Sequence, residues 1–393
     1  MKNFITKIKD KEYSQTPFTI MLVFISFLQG IIFYLNAEEW DYGQHNNVAR
    51  YLFVHEIKWD SFQKAKHAVV YPMYHVLVKL IHLMGKLDYH MAVALLMLAF
   101  SVWAVYCFRS LIQTLSQKKN SYLVDILSIF SIVFIAARGP LTHWRYYIIM
   151  TGPNPIHNPT FILVRPFAII CFCYFCKFFY TFENSKKTEL GSLIGFGAFA
   201  FLSVIAKPSF AVTFLPAMGL YTLYVMVNKK DLMVGIKTLI AVLPTVCMLF
   251  FQRHFMASES TMLGIDVHFG SFMDLSVIDV IMVTVAFAPA ALLLINVNNI
   301  KNNVYYKIAL LSYIIGWLQF YFLDNGNSGD FSWGYALSIE ILVVVSLALS
   351  LRTDLQYKYG KIRIPLAWLC FAYQMFMGLL YLYKVYKFGD YWI

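Results

Sequence analysis

The sequence predicts an all-α, polytopic integral membrane protein. Of its 393 residues, 60% are hydrophobic and only 13% are charged, whereas about 25% of the residues in an average soluble domain are charged. Apolar runs of about 20 residues, the length of a membrane-spanning helix, recur along the whole chain. The polar pieces between them are too short to fold as separate soluble domains. We therefore expect a single integral membrane domain over residues 1–393.

The apolar runs predict about 11 transmembrane helices. The first is expected to remain uncleaved, because its run from Pro17 to Leu35 exceeds the roughly 7–15 residues of a signal-peptide core. The segment from Pro72 to Met84 is too short and too polar to cross, so we expect a juxtamembrane helix at the interface. The predicted spans are 17–36, 89–112, 122–138, 160–182, 190–206, 209–227, 234–252, 275–295, 306–323, 333–351 and 364–385.

The basic residues predict which loops are cytoplasmic. With a cytoplasmic N-terminus, the inner side holds 19 of the 32 Lys and Arg residues but only 7 of the 21 Asp and Glu residues, as the positive-inside rule expects. If 72–84 crossed the membrane, every later loop would be reversed. The net charge of +11 is scattered over short loops, so we expect no nucleic-acid partner. The long loops 36–88, 138–160 and 253–274 then lie outside, and we expect the chemistry there.

The first outer loop supplies the candidate catalytic residues. Glu38, Glu39 and Asp41 follow directly on the first span, and His45 lies one helical turn after Asp41, on the same face of a helix. A carboxylate can act as a general base, and negative charge stabilises an oxocarbenium-like transition state. Asp41 is the best candidate, and one of the two glutamates would join it because adjacent side chains point apart. A solvated acidic helix end is the alternative, and the sequence leaves a divalent cation open.

Two further predictions concern the outer loops. Gly43 indicates a sharp change of chain direction, after which residues 46–56 would form an interfacial helix. The last outer loop leads to Trp333, which suits either sugar stacking or a membrane-interface belt. Glu340 follows about two turns into the next span, and this depth makes it more suggestive of function than the acids of the loop itself.

Cations in and beside the second outer loop predict an anion-binding site. Arg138, Arg145 and His157 belong to this loop, and arginine suits phosphate because its planar fork donates two parallel hydrogen bonds. Arg165 lies inside the fourth predicted span, where an ionisable group is by default a functional hypothesis. Lys207 lies between two spans with almost no loop. The alternative is that these cations reach lipid headgroups and only anchor the interface.

Two stretches carry a resemblance to a known family: WDYGQHNNVARYLF after the first span, and YPMYHVLVKLIHL before the second. Over residues 17–119 they resemble the GT-C superfamily of polytopic glycosyltransferases, whose common Tyr/His-Pro-Pro-Leu-Tyr segment is similar to the second stretch. Met73 replaces its second proline, and no strict Asp-x-Asp is present. The resemblance implies that Asp41 is catalytic with Glu39 or Glu38 as second acid, and that Tyr71 and His75 bind substrate.

The resemblance also implies a reaction. The enzyme would transfer a sugar from a polyprenyl-phosphate donor to a glycan, lipid or protein acceptor on the extracytoplasmic face of a bacterial plasma membrane. Two other classes compete with this function. An O-antigen-type polysaccharide polymerase depends on arginines in large mid-chain loops, and the region from Arg138 to Arg165 could be one. Against a lipid-linked sugar transporter or flippase, we find no repeated halves, and ionisable groups are concentrated in outer loops.

Overall fold

A computed structural model of the chain shows a helical bundle. It describes residues 14–51, 72–118, 121–133, 156, 158–185, 189–257, 266–267, 281, 284, 288–294, 302–324, 330–352 and 360–388. In these ranges the helices are α1 (Thr16–Leu35), α2 (Trp40–Tyr51), α3 (Pro72–Gly85), α4 (Tyr89–Ser116), α5 (Tyr122–Phe130), α6 (Pro159–Ser185), α7 (Leu190–Ala206), α8 (Ser209–Lys229), α9 (Leu232–Ala257), α10 (Pro289–Leu294), α11 (Val304–Phe322), α12 (Asp330–Ser350) and α13 (Gly360–Phe388). A two-residue antiparallel ladder pairs β1 (Asp266–Val267) with β2 (Leu323–Asp324).

The structure confirms a helical, polytopic membrane protein. Within the described ranges, seven helices are long and apolar enough to cross a membrane: α1, α4, α6, α8, α9, α12 and α13. The count of eleven spans stays a prediction. Each predicted span overlaps a described helix, but α5 and α10 are short, and the predicted span 275–295 coincides only in part with α10.

Local sequence explains where several helices begin and end. Pro17 occupies the first turn of α1, where its missing N–H costs no hydrogen bond. Asp88 caps α4 by accepting a hydrogen bond from the backbone N–H of Met91 at 2.7 Å, and Asn303 caps α11 in the same way. Lys230 ends α8 with a left-handed φ of 53°, which turns the chain into α9. The helix boundaries therefore follow from proline, capping residues and turns rather than from hydrophobicity alone.

Contacts between helix termini show which termini lie together, and they define two ends of the bundle. His90, at the start of α4, bonds the carbonyl of Tyr34 at the end of α1, while Arg109 near the end of α4 stacks on Phe18 at the start of α1. We call the end with Tyr34 and His90 the loop end and the other the basic end. At least one described flank of each predicted outer loop (36–88, 138–160, 253–274 and 324–332) lies at the loop end, because α1, α9 and α11 finish there and α4, α6 and α12 begin there. The connection between α7 and α8 lies there as well.

Helix α12 lies at the centre of the bundle. Residues 332–351 are all buried, and α12 contacts α4, α6, α8, α10, α11 and α13. At Gly334 a side chain would meet the carbonyl oxygen of Ser209 at 2.6 Å, so the missing Cβ lets the start of α12 pack directly against α8. A polar group on this helix must therefore find its partner inside the protein.

The first loop folds differently from the prediction in one respect. The expected change of direction at Gly43 is wrong, because Gly43 lies inside α2, which begins at Trp40 rather than at residue 46. A Cβ at Gly43 would collide with the carbonyl oxygen of Glu38, so glycine serves here for close packing. The predicted short helix at 72–84 is present as α3. Its position at a membrane interface stays a prediction, and residues 52–56 lie outside the described ranges.

We predict that the loop end is extracytoplasmic. Single cysteines at the exposed residues Glu39 and Ser185, introduced into a chain without its six natural cysteines, should react from opposite sides with a membrane-impermeant maleimide. The residue-39 variant should be labelled in intact cells and the residue-185 variant only after permeabilisation. Labelling of the residue-185 variant in intact cells would contradict the assignment, and labelling of both from one side would contradict the two-ended fold.

Candidate functional site

Helices α2 and α3 are held at the loop end by a charged network. The carboxylate of Glu38 forms an ion pair with Arg50 and lies 3.4 Å from Nε2 of His90. Arg50 also stacks over the ring of Tyr89, with 5.0 Å between Cζ and the ring centroid. Lys79 donates to the backbone oxygen of Arg50 at 3.3 Å and to the Tyr89 hydroxyl at 3.1 Å. These contacts tie α2, α3 and the start of α4 together.

A second, buried network lies between α2 and α3. Asn46 is fully buried, donates to the carbonyl of Ala37, and accepts a hydrogen bond from the Tyr74 hydroxyl at 2.8 Å. The imidazoles of His45 and His75 meet with 3.1 Å between Nδ1 and Nε2. One ring must donate and the other accept, so at least one of the two nitrogens that meet is deprotonated. Burial, followed by the charge of Glu38, raises the pKa of Tyr74 well above its usual value.

The predicted catalytic residues differ in the contacts that the structure shows for them. Glu38 is engaged by Arg50 and His90, whereas Glu39 is exposed. Asp41 lies in the first turn of α2, one turn before His45, so the two positions share a helix face as predicted. The side chain of Asp41 is outside the described residues. The structure joins His45 to His75, and both were predicted from the sequence.

Lys207 and the start of α6 form a buried polar cluster. Lys207 lies in the short connection between α7 and α8 and is only 3% exposed. Its Nζ donates to Oγ1 of Thr160 at 3.0 Å and to Oδ1 of Asn158 at 3.3 Å, and it lies 4.9 Å from the ring centroid of Trp333. These hydrogen bonds go to neutral oxygens and hold the ammonium in place.

Asn158 both caps α6 and accepts a hydrogen bond from Lys207. Its Oδ1 accepts a bond from the backbone N–H of Phe161 at 2.9 Å, which caps α6, and the same oxygen receives Lys207. The sequence analysis did not identify this role. The Asn-Pro-Thr run is itself a capping signal that could have located the residue.

Arg165 forms an ion pair with Glu340 inside the bundle. The exposed fractions are 2% for Arg165 and 0% for Glu340, and 3.3 Å separates Nε from Oε2. The guanidinium also stacks over Phe161, with 4.9 Å from Cζ to the ring centroid, and Phe161 contacts Trp333. Glu340 lies at the middle of α12, ten residues or about 15 Å along the axis from its first residue. Arg165 and Lys207 therefore lie along the same face of the α6–α12 contact, on either side of two aromatic rings.

Helix α3 brings the two groups of polar residues to one end of the bundle. It packs on α2 and also contacts α6 and α7, the helices that carry Arg165 and lead to Lys207. The histidine pair and the buried cations therefore belong to neighbouring elements. Four further residues predicted to bind substrate lie outside the described ranges: Tyr71, Arg138, Arg145 and His157.

Among the described residues, no group of three or more His, Cys, Asp and Glu side chains could hold a metal ion. The fold is that of a helical integral membrane protein, with an imidazole pair between α2 and α3 and buried cations on α6 and after α7. No protein-family model and no curated protein sequence matches the chain.

The buried Arg165–Glu340 pair predicts how the single and double variants of these residues differ in thermal stability. Removing one partner of a buried ion pair typically costs about 3–5 kcal/mol, whereas replacing both with apolar residues is often neutral. Glu340→Gln should therefore lower the thermal unfolding midpoint strongly, and the double variant Arg165→Met/Glu340→Leu should recover most of that loss. Ser346→Ala, which removes a buried hydroxyl bonded within α12, is the matched control with a small effect. Equal losses in the single and double variants would contradict the pairing.

Tyr74 predicts a pH dependence of stability at the α2–α3 contact. Because the folded protein holds the phenol proton more tightly than the unfolded chain, the contribution of Tyr74 is fully present below its ordinary pKa of about 10 and is lost as the pH rises further. Tyr74→Phe should cost about 1 kcal/mol at neutral pH through the lost hydrogen bond. The gap between wild type and this variant should narrow between pH 9 and 11, measured by thermal unfolding. A gap that is constant over that interval would contradict the prediction.

Proposed function

We propose that the protein is a GT-C-like membrane glycosyltransferase. It would move a sugar from a polyprenyl-phosphate-linked donor to a glycan, lipid or protein acceptor on the extracytoplasmic face. Asp41 would act as general base, and Arg165 and Lys207 would hold the donor phosphate. The basis is the sequence resemblance over residues 17–119 together with the arrangement of the loop end.

One observation carries the proposal. The short helix α3 contacts both α2, which bears Asp41, and the helices α6 and α7, which present Arg165 and Lys207. Transfer from a lipid phosphate needs a base near the acceptor hydroxyl and cations near the departing phosphate. Neighbouring elements at one end of the bundle supply both kinds of group.

The burial of the cations suits them to a phosphate leaving group. When the bond between sugar and phosphate breaks, negative charge grows on the phosphate, and fixed cations in a site that excludes water stabilise it most effectively. Thr160 and Asn158 fix Lys207, and Glu340 orients Arg165 through Nε. The phosphate is already a good leaving group, so no acid catalyst is required. A single displacement with inversion at the sugar carbon follows.

The acceptor proton would leave through Asp41. In our proposal its carboxylate takes the proton from the acceptor hydroxyl as the sugar is transferred, and His45, one turn along α2, contacts His75 at 3.1 Å. An imidazole pair of this kind can relay a proton, because each ring exchanges donor and acceptor nitrogens. Glu38 would support the reaction indirectly by holding Arg50 and the start of α2 in place.

The test is transfer of labelled sugar from a purified lipid donor. Asp41→Asn keeps the size of the side chain but cannot accept the proton, so turnover should fall about 10²- to 10⁴-fold, while donor binding and the unfolding midpoint are retained. Asp88→Asn is a matched control, because Asp88 is an exposed carboxylate at the same end and asparagine caps a helix equally well. Wild-type turnover by Asp41→Asn would refute the assignment.

The same assay separates the cations from the base. Arg165→Lys should weaken donor binding despite its unchanged charge, because the planar fork is lost. Lys207→Gln should also weaken donor binding, whereas Asp41→Asn should not. If donor affinity is unchanged in both cation variants, Arg165 and Lys207 have only a structural role.

The buried ion pair also supports a second candidate function, a lipid-linked sugar transporter or flippase. Ionisable residues within a membrane bundle frequently mark transport pathways, and Glu340 lies at the middle of the central helix. In vesicles that contain the purified protein and donor lipid but no acceptor, a transporter would move the donor between leaflets. The proposed enzyme would leave the donor in place until acceptor is added.

A further inference from the structure

A separate cavity lies near the basic end, away from the residues proposed for glycosyl transfer. It has a volume of about 720 Å³, within the range of about 300–1,000 Å³ that is usual for ligand sites. Its two main walls are α4 and α6, which pack against each other. Tyr106, Ser110 and Thr114 lie four residues apart on α4 and form one stripe. The α6 wall contributes Lys177, among other residues.

The chemical character of the cavity changes along its length. Cys107, Ile169 and Ile170 line the part that lies deeper in the bundle, because α4 and α6 both run toward the basic end. Toward that end the lining includes Gln117 and Thr181, followed by Asn303 and Arg352 from the beginning of α11 and the end of α12. The cavity is thus apolar inside and polar at its outer end. An amphiphilic molecule matches this gradient.

The polar end of the cavity favours an anion. Lys177 and Arg352 both line it, and none of the described lining residues is acidic. Lys177 forms an ion pair with Glu189, but the lysine side chain stays 53% exposed, and this contact holds the ammonium near the mouth. The hydrogen bond and charge of Lys177 lower the pKa of Glu189, so this carboxylate remains ionised and continues to position the lysine.

The cavity also opens to the surroundings of the bundle. Tyr106 and Tyr180, one on each wall, are 50% and 53% exposed, although their helices are long and apolar enough to cross a membrane. A ligand can therefore enter sideways, between α4 and α6. Basic pockets between transmembrane helices at a cytoplasmic face commonly hold anionic lipid headgroups.

We propose that this cavity binds one anionic membrane phospholipid. Its phosphate would lie between Lys177 and Arg352, and the beginning of an acyl chain would run between α4 and α6 toward Ile169 and Ile170. The site is independent of the proposed glycosyl transfer, because it lies at the other end of the bundle and uses none of the same residues.

The probe is phosphatidylglycerol, added to the full-length protein in a neutral detergent. Native mass spectrometry should show one retained phosphatidylglycerol molecule per protein, bound more tightly than phosphatidylcholine. Arg352→Gln should weaken phosphatidylglycerol about fivefold, the effect of one basic residue near a lipid phosphate. The double variant Lys177→Gln/Glu189→Gln should weaken it similarly without leaving an unpaired carboxylate. Lys307→Gln is the matched control, since Lys307 lies on α11 two residues after Tyr305 but does not line the cavity.

A second variant tests the apolar part of the site without changing any charge. Thr114 is exposed on the α4 wall, so Thr114→Trp should fill the cavity and prevent lipid retention while the unfolding midpoint without lipid stays near that of wild type. Equal retention of phosphatidylcholine and phosphatidylglycerol, or equal lipid affinity of the Arg352→Gln and Lys307→Gln variants, would overturn the proposal. So would competition by free glycerol 3-phosphate at the same concentration, which would show a site for a soluble phosphate compound.

Discussion

The ion pair between Arg165 and Glu340 constrains the rest of the structure. Each charge loses its water on burial, and either group alone inside the bundle would cost several kcal/mol, so α6 and α12 must meet at one depth and one rotation. That register also brings Trp333, seven residues before Glu340, against Phe161. Lys207 then lies over Trp333 and within reach of Thr160. The position of the second buried cation therefore depends on the first pair.

The loop end is held by contacts of another kind. Helix α2 is polar overall, and it is fixed by the Glu38–Arg50 ion pair, the Asn46–Tyr74 hydrogen bond and the close approach at Gly43. The Glu38–Arg50 pair is partly exposed, whereas Asn46 and Tyr74 are fully buried, and partly exposed ion pairs contribute little stability. In the proposed function, a lipid-linked donor and its acceptor would enter beside these helices.

The sequence predicted the positions of helices better than the contacts between them. A run of apolar residues with proline or a capping residue at its start is a local signal, and the span predicted at 190–206 matches α7 at both ends. The predicted change of chain direction at Gly43 was wrong because glycine permits both turns and close packing, and only the tertiary structure distinguishes them. Arg165 was predicted to be functional, but its partner Glu340 is 175 positions away. No sequence periodicity encodes which helices become neighbours over such a separation.

The two ends of the bundle place cations in different dielectric surroundings. Arg165 and Lys207 are 2% and 3% exposed, so water and salt screen their charges weakly, and in the proposed function a donor phosphate would meet cations held in fixed positions. Lys177 is 53% exposed, so water and salt screen its charge more strongly and its attraction for an anion depends on salt. Fixed, poorly screened cations are suited to stabilising charge that develops during a reaction. Screened cations beside an apolar cleft are suited to reversible binding of a lipid headgroup. This difference in burial is the physical reason for proposing glycosyl transfer at one end of the bundle and lipid binding at the other.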